Sequence, residues 1–248
     1  LGPLTSVQTS AVANSQGIGI EGGGTASVVL NQNAGGTTQA SQSMTFRYTA
    51  GEVDMASLAV SNNISAVGTT GSTQILNASQ TMRGDQTLGY SSVTTANAQT
   101  INNVATATAN NMTASNDGGP LQVLASQTNK SYVRAQTNNV ADQFGTNNAM
   151  SYGVGNSINA NESGIELSMD ISQVNSGGVT ATSYVEGRAG YDSSSTTVAM
   201  GNAATGSVCS SCGGVIDINS RQVNSNNVTA SSTVNITGSG RAVTGSST

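Results

Sequence analysis

The sequence has no histidine and no tryptophan, two cysteines, two prolines, and only two Phe and six Tyr among 248 residues. Charge is equally scarce. Lys and Arg number 7 and Asp and Glu 12, so 8% of the chain is charged and the net charge is −5. With so few large side chains, a globule of this length lacks filler for a thick core. Val, Ile, Leu, Met and Ala are the fillers present in quantity, and small residues bridge only closely spaced backbones, which suits a long, thin solenoid better than a sphere. Scarce cations argue against a nucleic-acid groove, which neutralises phosphates with clustered Lys and Arg, and against polybasic membrane contact. No apolar run approaches the ~20 residues that span a bilayer; Val28-Val29-Leu30 is typical of the longest. Disorder is the remaining rival for a polar, low-complexity chain. It normally couples low hydrophobicity to high net charge, whereas here hydrophobic residues reach 35% and fall in short, spaced runs. The chain opens at Leu1 without a signal-peptide pattern and stops in RAVTGSST without a closing element. That reads as a processed mature chain or a fragment.

What is present in abundance is Ser, Thr, Asn, Gly, Ala, Val and Gln, arranged in a repeat. One register is a Gln after a short apolar run: Gln32, Gln80, Gln127, Gln173 and Gln222, spaced by 48, 47, 46 and 49 residues. A second is an Asn after a similar run: Asn14, Asn62, Asn110, Asn156 and Asn202, spaced by 48, 48, 46 and 46. A third match, Val179–Val185 against Val228–Val234, begins six residues after the Gln in both cases. Runs such as Leu167-Ser168-Met169-Asp170-Ile171 alternate apolar and polar side chains, the period of a strand with one buried face. Gly177-Gly178, Gly213-Gly214, Gly118-Gly119 and Asn226-Asn227 separate the runs, and Gly and Asn adopt turn conformations cheaply. Pro3 and Pro120 lie at run edges, where a missing N–H does least harm. No sustained helical period is visible.

These patterns predict an all-β chain, a β-solenoid (β-helix) of about five imperfect repeats of ~48 residues in one domain over 1–248. Since a β-helical coil commonly takes ~20–25 residues, two unequal coils per repeat are expected. The recurring Gln and Asn are candidates for amide ladders along the stack, each side chain donating to one neighbour and accepting from the other. The alternative is that these amides sit at turns and face water.

Gln/Asn ladders on a Ser/Thr/Gly-rich β-stack loosely resemble curlin, the bacterial fibre subunit, whose repeats are about half this length. SQVNSGGVTATSYV and RQVNSNNVTASSTV, with VAMGNAA between them, low charge and absent His, are more similar to the holdfast anchor proteins of stalked bacteria (holdfast attachment protein D-like). That resemblance implies an extracellular, outer-membrane-associated adhesion protein at the cell surface. It implies export through a curlin-type secretion pore, partner anchor or fibre subunits, and the tethering of a polysaccharide adhesive. A self-polymerising, curlin-like fibre subunit of the biofilm matrix is the alternative. VAMGNAA and RAVTGSS also look like head repeats of trimeric autotransporter adhesins, but those repeats are much shorter, and Asn14, Asn62 and Asn110 lack the preceding Gly.

Sharper chemistry finds little support. Cys209-Ser-Ser-Cys212 could be a redox pair or half of a zinc site. Zinc needs two further ligands, and the sequence has no His and no other Cys. A local disulfide or idle thiols in an exported loop is the expected state. Gly17-Ile-Gly19-Ile-Glu21-Gly22 fits G-x-G-x-x-G, but with no helix after it there is no dipole to hold a phosphate. Asp170 and Asp217 could stack as a Ca²⁺ pair or simply face solvent, and their unequal offsets from Gln173 and Gln222 favour the latter. Glu52 and Asp54 could share a strand face as a catalytic pair, but a thin stack offers little room for the required pocket. No catalytic, cofactor-binding or metal residues are therefore assigned. A polysaccharide-degrading enzyme ranks third among the readings, because its acids are scattered. Tyr48, Tyr90, Tyr132, Tyr152, Tyr184 and Tyr191 are the available aromatic platforms for sugars.

Overall fold

The computed structural model describes residues 4–46 and 50–248. The strands are β1 (Thr5–Ile20), β2 (Thr25–Ala34), β3 (Thr38–Phe46), β4 (Ala50–Gly68), β5 (Thr73–Met82), β6 (Gln86–Asn116) and β7 (Leu121–Asn129). They continue as β8 (Tyr132–Glu162), β9 (Glu166–Asn175), β10 (Val179–Val208), β11 (Val215–Asn224), β12 (Val228–Ile236) and β13 (Ala242–Ser247), with one 3₁₀ turn at Ser210–Cys212. The fold is an all-β solenoid.

Every strand pairing among the described residues is parallel. One sheet runs β1-β4-β6-β8-β10-β12, with β3 on β6 and β13 on β10; the other runs β2-β5-β7-β9-β11. Partners lie one repeat apart: Asn62 pairs with Asn110 and Asn110 with Asn156, while Gln80 pairs with Gln127 and Gln127 with Gln173. Parallel sheets usually have both faces covered. Here the two walls of each coil cover only one another's inner faces, and the outer faces meet solvent with polar side chains alternating along the strands.

This corrects the expected two coils per repeat. Each repeat is one flat coil. The C-terminal stretch of β6, from about residue 98, forms one wall. The short strand β5 and the N-terminal stretch of β6 lie end to end on the other. Side chains reaching across the interior show this: Gln32 donates to the Asn63 carbonyl at 2.8 Å, and Ser57 donates to the Ala40 carbonyl at 2.8 Å. The uneven Asn–Gln offset arises because the two residues sit on opposite walls. Asn110 reaches the Thr128 carbonyl 18 residues on, and Gln127 reaches the Ser157 carbonyl 30 residues on.

The core is a thin slab with three apolar zones. Ile64, Leu76, Met112, Leu121, Ile158 and Leu167 fill one end. Val53, Val93, Ile101 and Phe144 fill the other. Between them the filler is small, chiefly Ala107, Ala109, Val133, Ala135 and Ala181 around Met82. The walls approach so closely there that a Cβ on Gly89 would lie 2.3 Å from the Thr106 carbonyl oxygen. Only glycine fits that position. At the corner after the long wall, Gly71, Gly118 and Gly213 take φ of +74°, +87° and +75°, the left-handed conformation that glycine adopts without Cβ strain.

Candidate functional site

The recurrent amides lie within strands, on their inner faces. Asn14 donates to Asn62, Asn62 to Asn110, Asn110 to Asn156 and Asn156 to Asn202, each from Nδ2 to Oδ1 at 2.7–2.8 Å. The second Nδ2 hydrogen of Asn62, Asn110 and Asn156, and one of the last member Asn202, goes to the carbonyl of the residue after the Gln, at Thr81, Thr128, Val174 and Val223. The Gln column runs the other way. Gln222 donates to Gln173, Gln173 to Gln127, Gln127 to Gln80 and Gln80 to Gln32, at 2.7–2.9 Å. Gln80, Gln127 and Gln173 give their second hydrogen, and the last member Gln32 gives one, to the carbonyl of the residue after an Asn, at Asn111, Ser157, Ala203 and Asn63. A backbone carbonyl only accepts, so each brace forces the amide nitrogen toward it and fixes the sense of its column. The two columns therefore have opposed polarity. Asn62, Asn110 and Asn156 are fully buried, and Gln80, Gln127 and Gln173 nearly so. Buried amides are tolerated when both ends are satisfied, and in mid-stack every member of these two columns is.

A second Asn column was not singled out from the sequence. Asn129 donates to Asn175 at 2.7 Å and Asn175 to Asn224 at 2.6 Å. Each also bonds the carbonyl two residues on, at Ser131, Gly177 and Asn226, which pins the corner between each short strand and the strand that follows it. Its signal is the Asn two residues after Gln127, Gln173 and Gln222. Met82 and Ala34 hold the same place in earlier coils, which hides the column from a search over the whole chain.

The outer face of the long wall carries a polar column as well. Asn102 donates to Asp54 and Asn148 to Asn102, both at 2.9 Å, and Ser194 donates to Asn148. Asp54 is thus a hydrogen-bond acceptor on a strand face. Asp170 and Asp217 do not stack on each other. Asp170 is level with Asn219, which donates to it at 3.2 Å, and Asp217 is level with Ser168. Among the described residues no three His, Cys, Asp or Glu side chains converge on a point that could hold a metal. Gly17 and Gly19 lie in β1 and Gly22 in the following turn.

Glu162 is a buried acid that the sequence did not flag. It occupies the place of Asn116 one coil on and is 3% exposed. Its Oε1 accepts from the Gly164 N–H, whereas Oε2 has no hydrogen-bond partner. Burial pushes its carboxyl above the usual range. The Gly164 hydrogen bond and the nearby Asn116 amide and Gly118 backbone oppose that rise, and the nearby Asp117 charge adds to it.

Cys209 and Cys212 are joined in a disulfide at the corresponding corner of a later coil. There Cys209 N donates to the Glu162 carbonyl at 3.0 Å. Of the tyrosines, Tyr90, Tyr132 and Tyr184 stand on the outside of the wall built by the N-terminal stretches of β6, β8 and β10, and Tyr152 on the long wall. Tyr191 projects at the corner between them, and Tyr48 lies outside the described residues. Near Tyr191 is an open hollow of about 330 Å³. No helix among the described residues is long and apolar enough to cross a membrane.

Comparison with curated proteins and with solved structures gives no match. The family model described as holdfast attachment protein D matches residues 4–178, which takes in β1 to β9 and both amide columns through Asn156 and Gln173. The continuous parallel stack and the match over most of its length agree: the chain belongs to the holdfast attachment protein D family.

Proposed function

We propose that the protein is a structural adhesion module at the outer face of the outer membrane, tethering an adhesive polysaccharide to the cell. The observation that carries this reading, beside family membership, is the unbroken parallel pairing from β1 through β12. A pull along or across such a stack is shared among many backbone hydrogen bonds, and the amide columns tie each coil to the next through its interior. The outer walls are rich in Ser, Thr and Asn and nearly free of charge, so they suit many weak hydrogen bonds to a polysaccharide, with avidity supplying strength. Export through a curlin-type pore and docking on partner anchor subunits complete the proposal.

The test is made in cells that produce the adhesive. Deleting the gene should shed polysaccharide into the medium while its synthesis continues, and re-expression should restore retention. Surface proteolysis of intact cells should remove the protein. Polysaccharide held normally without the chain overturns the tether.

A fibre subunit is the second reading. Successive coils present nearly equivalent hydrogen-bonding edges, and such edges template addition of further strands. Electron microscopy across a concentration series separates the two readings. Rods of fixed length that gather on polysaccharide support the tether; filaments that lengthen with concentration support the fibre.

A further inference from the structure

At the corner between the two walls, Thr100, Thr146 and Asp192 are level in successive coils, followed by Ala242. The residues just before them are Gln99, Gly145, Tyr191 and Arg241, which form a column of their own. Gly145 interrupts that column. A Cβ there would lie 2.4 Å from the Gln99 carbonyl oxygen, so the position stays bare and leaves a notch with Gln99 on one side and Tyr191 on the other. Adjacent rungs of a sheet are about 4.7–4.9 Å apart, so the two-rung gap is about 9–10 Å.

The Tyr191 ring is unusually placed for so sparse an aromatic inventory. It is 65% exposed, yet it is held. The backbone N–H of Arg241 donates to the backbone carbonyl of Tyr191 at 2.7 Å. The guanidinium lies over the ring, 5.8 Å from the centroid. That guanidinium is in turn clamped by both carboxylate oxygens of Asp192, with Nε 2.9 Å from Oδ1. The ring is thus an aromatic platform held in place by its neighbours, with hydroxyl, amide and carboxylate groups beside it.

We propose that this notch seats one pyranose ring of a neutral polysaccharide. The C–H face of the sugar stacks on Tyr191, whose ring offers an apolar surface with little rotamer entropy to lose. Gln99, Thr100, Thr146 and Asp192 exchange hydrogen bonds with the ring hydroxyls, which need both donors and acceptors. The ligand is neutral because Arg241 is already matched by Asp192, and the chain's net charge of −5 repels an anionic polymer. The hollow of about 330 Å³ is at the small end of the range for ligand sites. One sugar per notch gives weak binding that many attached chains multiply. This assignment rests on the polysaccharide-tether reading and gives it a contact site.

The test immobilises the isolated adhesive polysaccharide and measures binding of the whole chain and of Tyr191→Ala, Tyr191→Phe and Tyr132→Ala, with matched circular dichroism as the fold control. Tyr191→Ala should weaken binding by about five- to tenfold, Tyr191→Phe should stay within about twofold, and Tyr132→Ala, on another face, should bind as the parent does. Cellohexaose, laminarihexaose and mannohexaose serve as neutral competitors, and at least one should displace the parent; an alginate hexamer should not. Parent-like binding by Tyr191→Ala overturns the notch and leaves the tether standing. Displacement by the alginate hexamer alone overturns the neutral pyranose. No binding by the parent overturns both the notch and direct contact between this chain and the polysaccharide.

Discussion

Asn110 Nδ2 lies 2.7 Å from Asn156 Oδ1, although the two residues are 46 apart in sequence. The bond exists because each coil returns the chain to the same place one rung higher, and both side chains are wholly buried. Asn110 also accepts from Asn62 and donates to the Thr128 carbonyl, so its amide has three protein partners in the interior.

Substitution there separates shape from hydrogen bonding. Asn110→Ala strands a donor and two acceptors and is expected to cost about 1–3 kcal/mol. Asn110→Asp keeps the shape but replaces the donating nitrogen by an oxygen facing two acceptors. At neutral pH it leaves an uncompensated buried charge and should cost more, about 3–5 kcal/mol. Urea unfolding at pH 7 should rank parent, then Ala, then Asp. Because coils interact mainly with their neighbours, limited proteolysis should cut near residue 110 before other sites.

Glu162 predicts a pH dependence of definite sign. Its carboxyl is held above the ordinary value of 4.5, first by burial. In the window above 4.5 the folded chain therefore binds more protons at this site than the unfolded chain. Stability then falls as pH rises through that window and levels off once the folded-state group has ionised. Glu162→Gln removes the charge and keeps an acceptor for the Gly164 N–H. The variant should melt higher than the parent at pH 7, and the difference should shrink as pH falls toward 4. Melting curves at half-unit pH steps check this. Equal slopes for the two proteins would show that Glu162 does not set the dependence.

The repeat, the strand class and the amide columns were legible because a stack writes its period into the sequence: Gln80, Gln127 and Gln173 recur since each must bond the next. The coil geometry was not. A spacing of 46 to 49 residues fits one broad coil or two narrow ones, and what decides is the contact between walls, such as Ser57 with the Ala40 carbonyl, which leaves no periodic trace. Glu162 was illegible for a related reason. Its burial comes from the coils on either side and from a corner occupied by Asn116 in one coil and Val208 in the next. The notch was hidden because its defining member, Gly145, contributes the absence of a side chain.

Phe144 is the largest buried side chain in its part of the core, and two glycines make room for it. A Cβ on Gly190 would lie 2.1 Å from its ring, and one on Gly187 2.5 Å. Gly190→Ala should overpack the corner and cost about 1–3 kcal/mol. Phe144→Leu alone leaves a cavity and is expected to cost about 1–3 kcal/mol as well. In the double variant the smaller side chain gives the added methyl room, so the two losses should sum to less than additivity predicts. A coupling of about 1 kcal/mol or more in denaturant unfolding confirms direct contact, whereas simple additivity places the two residues out of reach of one another.

The Cys209–Cys212 disulfide closes a short loop at the corner that launches β11. Within that corner Gly214 N donates to the Cys209 carbonyl at 3.1 Å, and Val215 N to the Ile165 carbonyl at 2.8 Å, the first rung of the β11–β9 pairing. Chain-entropy reasoning gives about 2 kcal/mol for so short a loop. In a stack stabilised coil by coil, that loss should stay local. The variant carrying both Cys209→Ser and Cys212→Ser should therefore exchange the Gly214 and Val215 amide hydrogens faster than the parent. Amides in β7, such as Gln127, should exchange at an unchanged rate. Hydrogen exchange read by mass spectrometry resolves the two regions in one experiment. If protection fell equally in both, the stack would unfold as a single cooperative unit and the local role of the disulfide would be wrong.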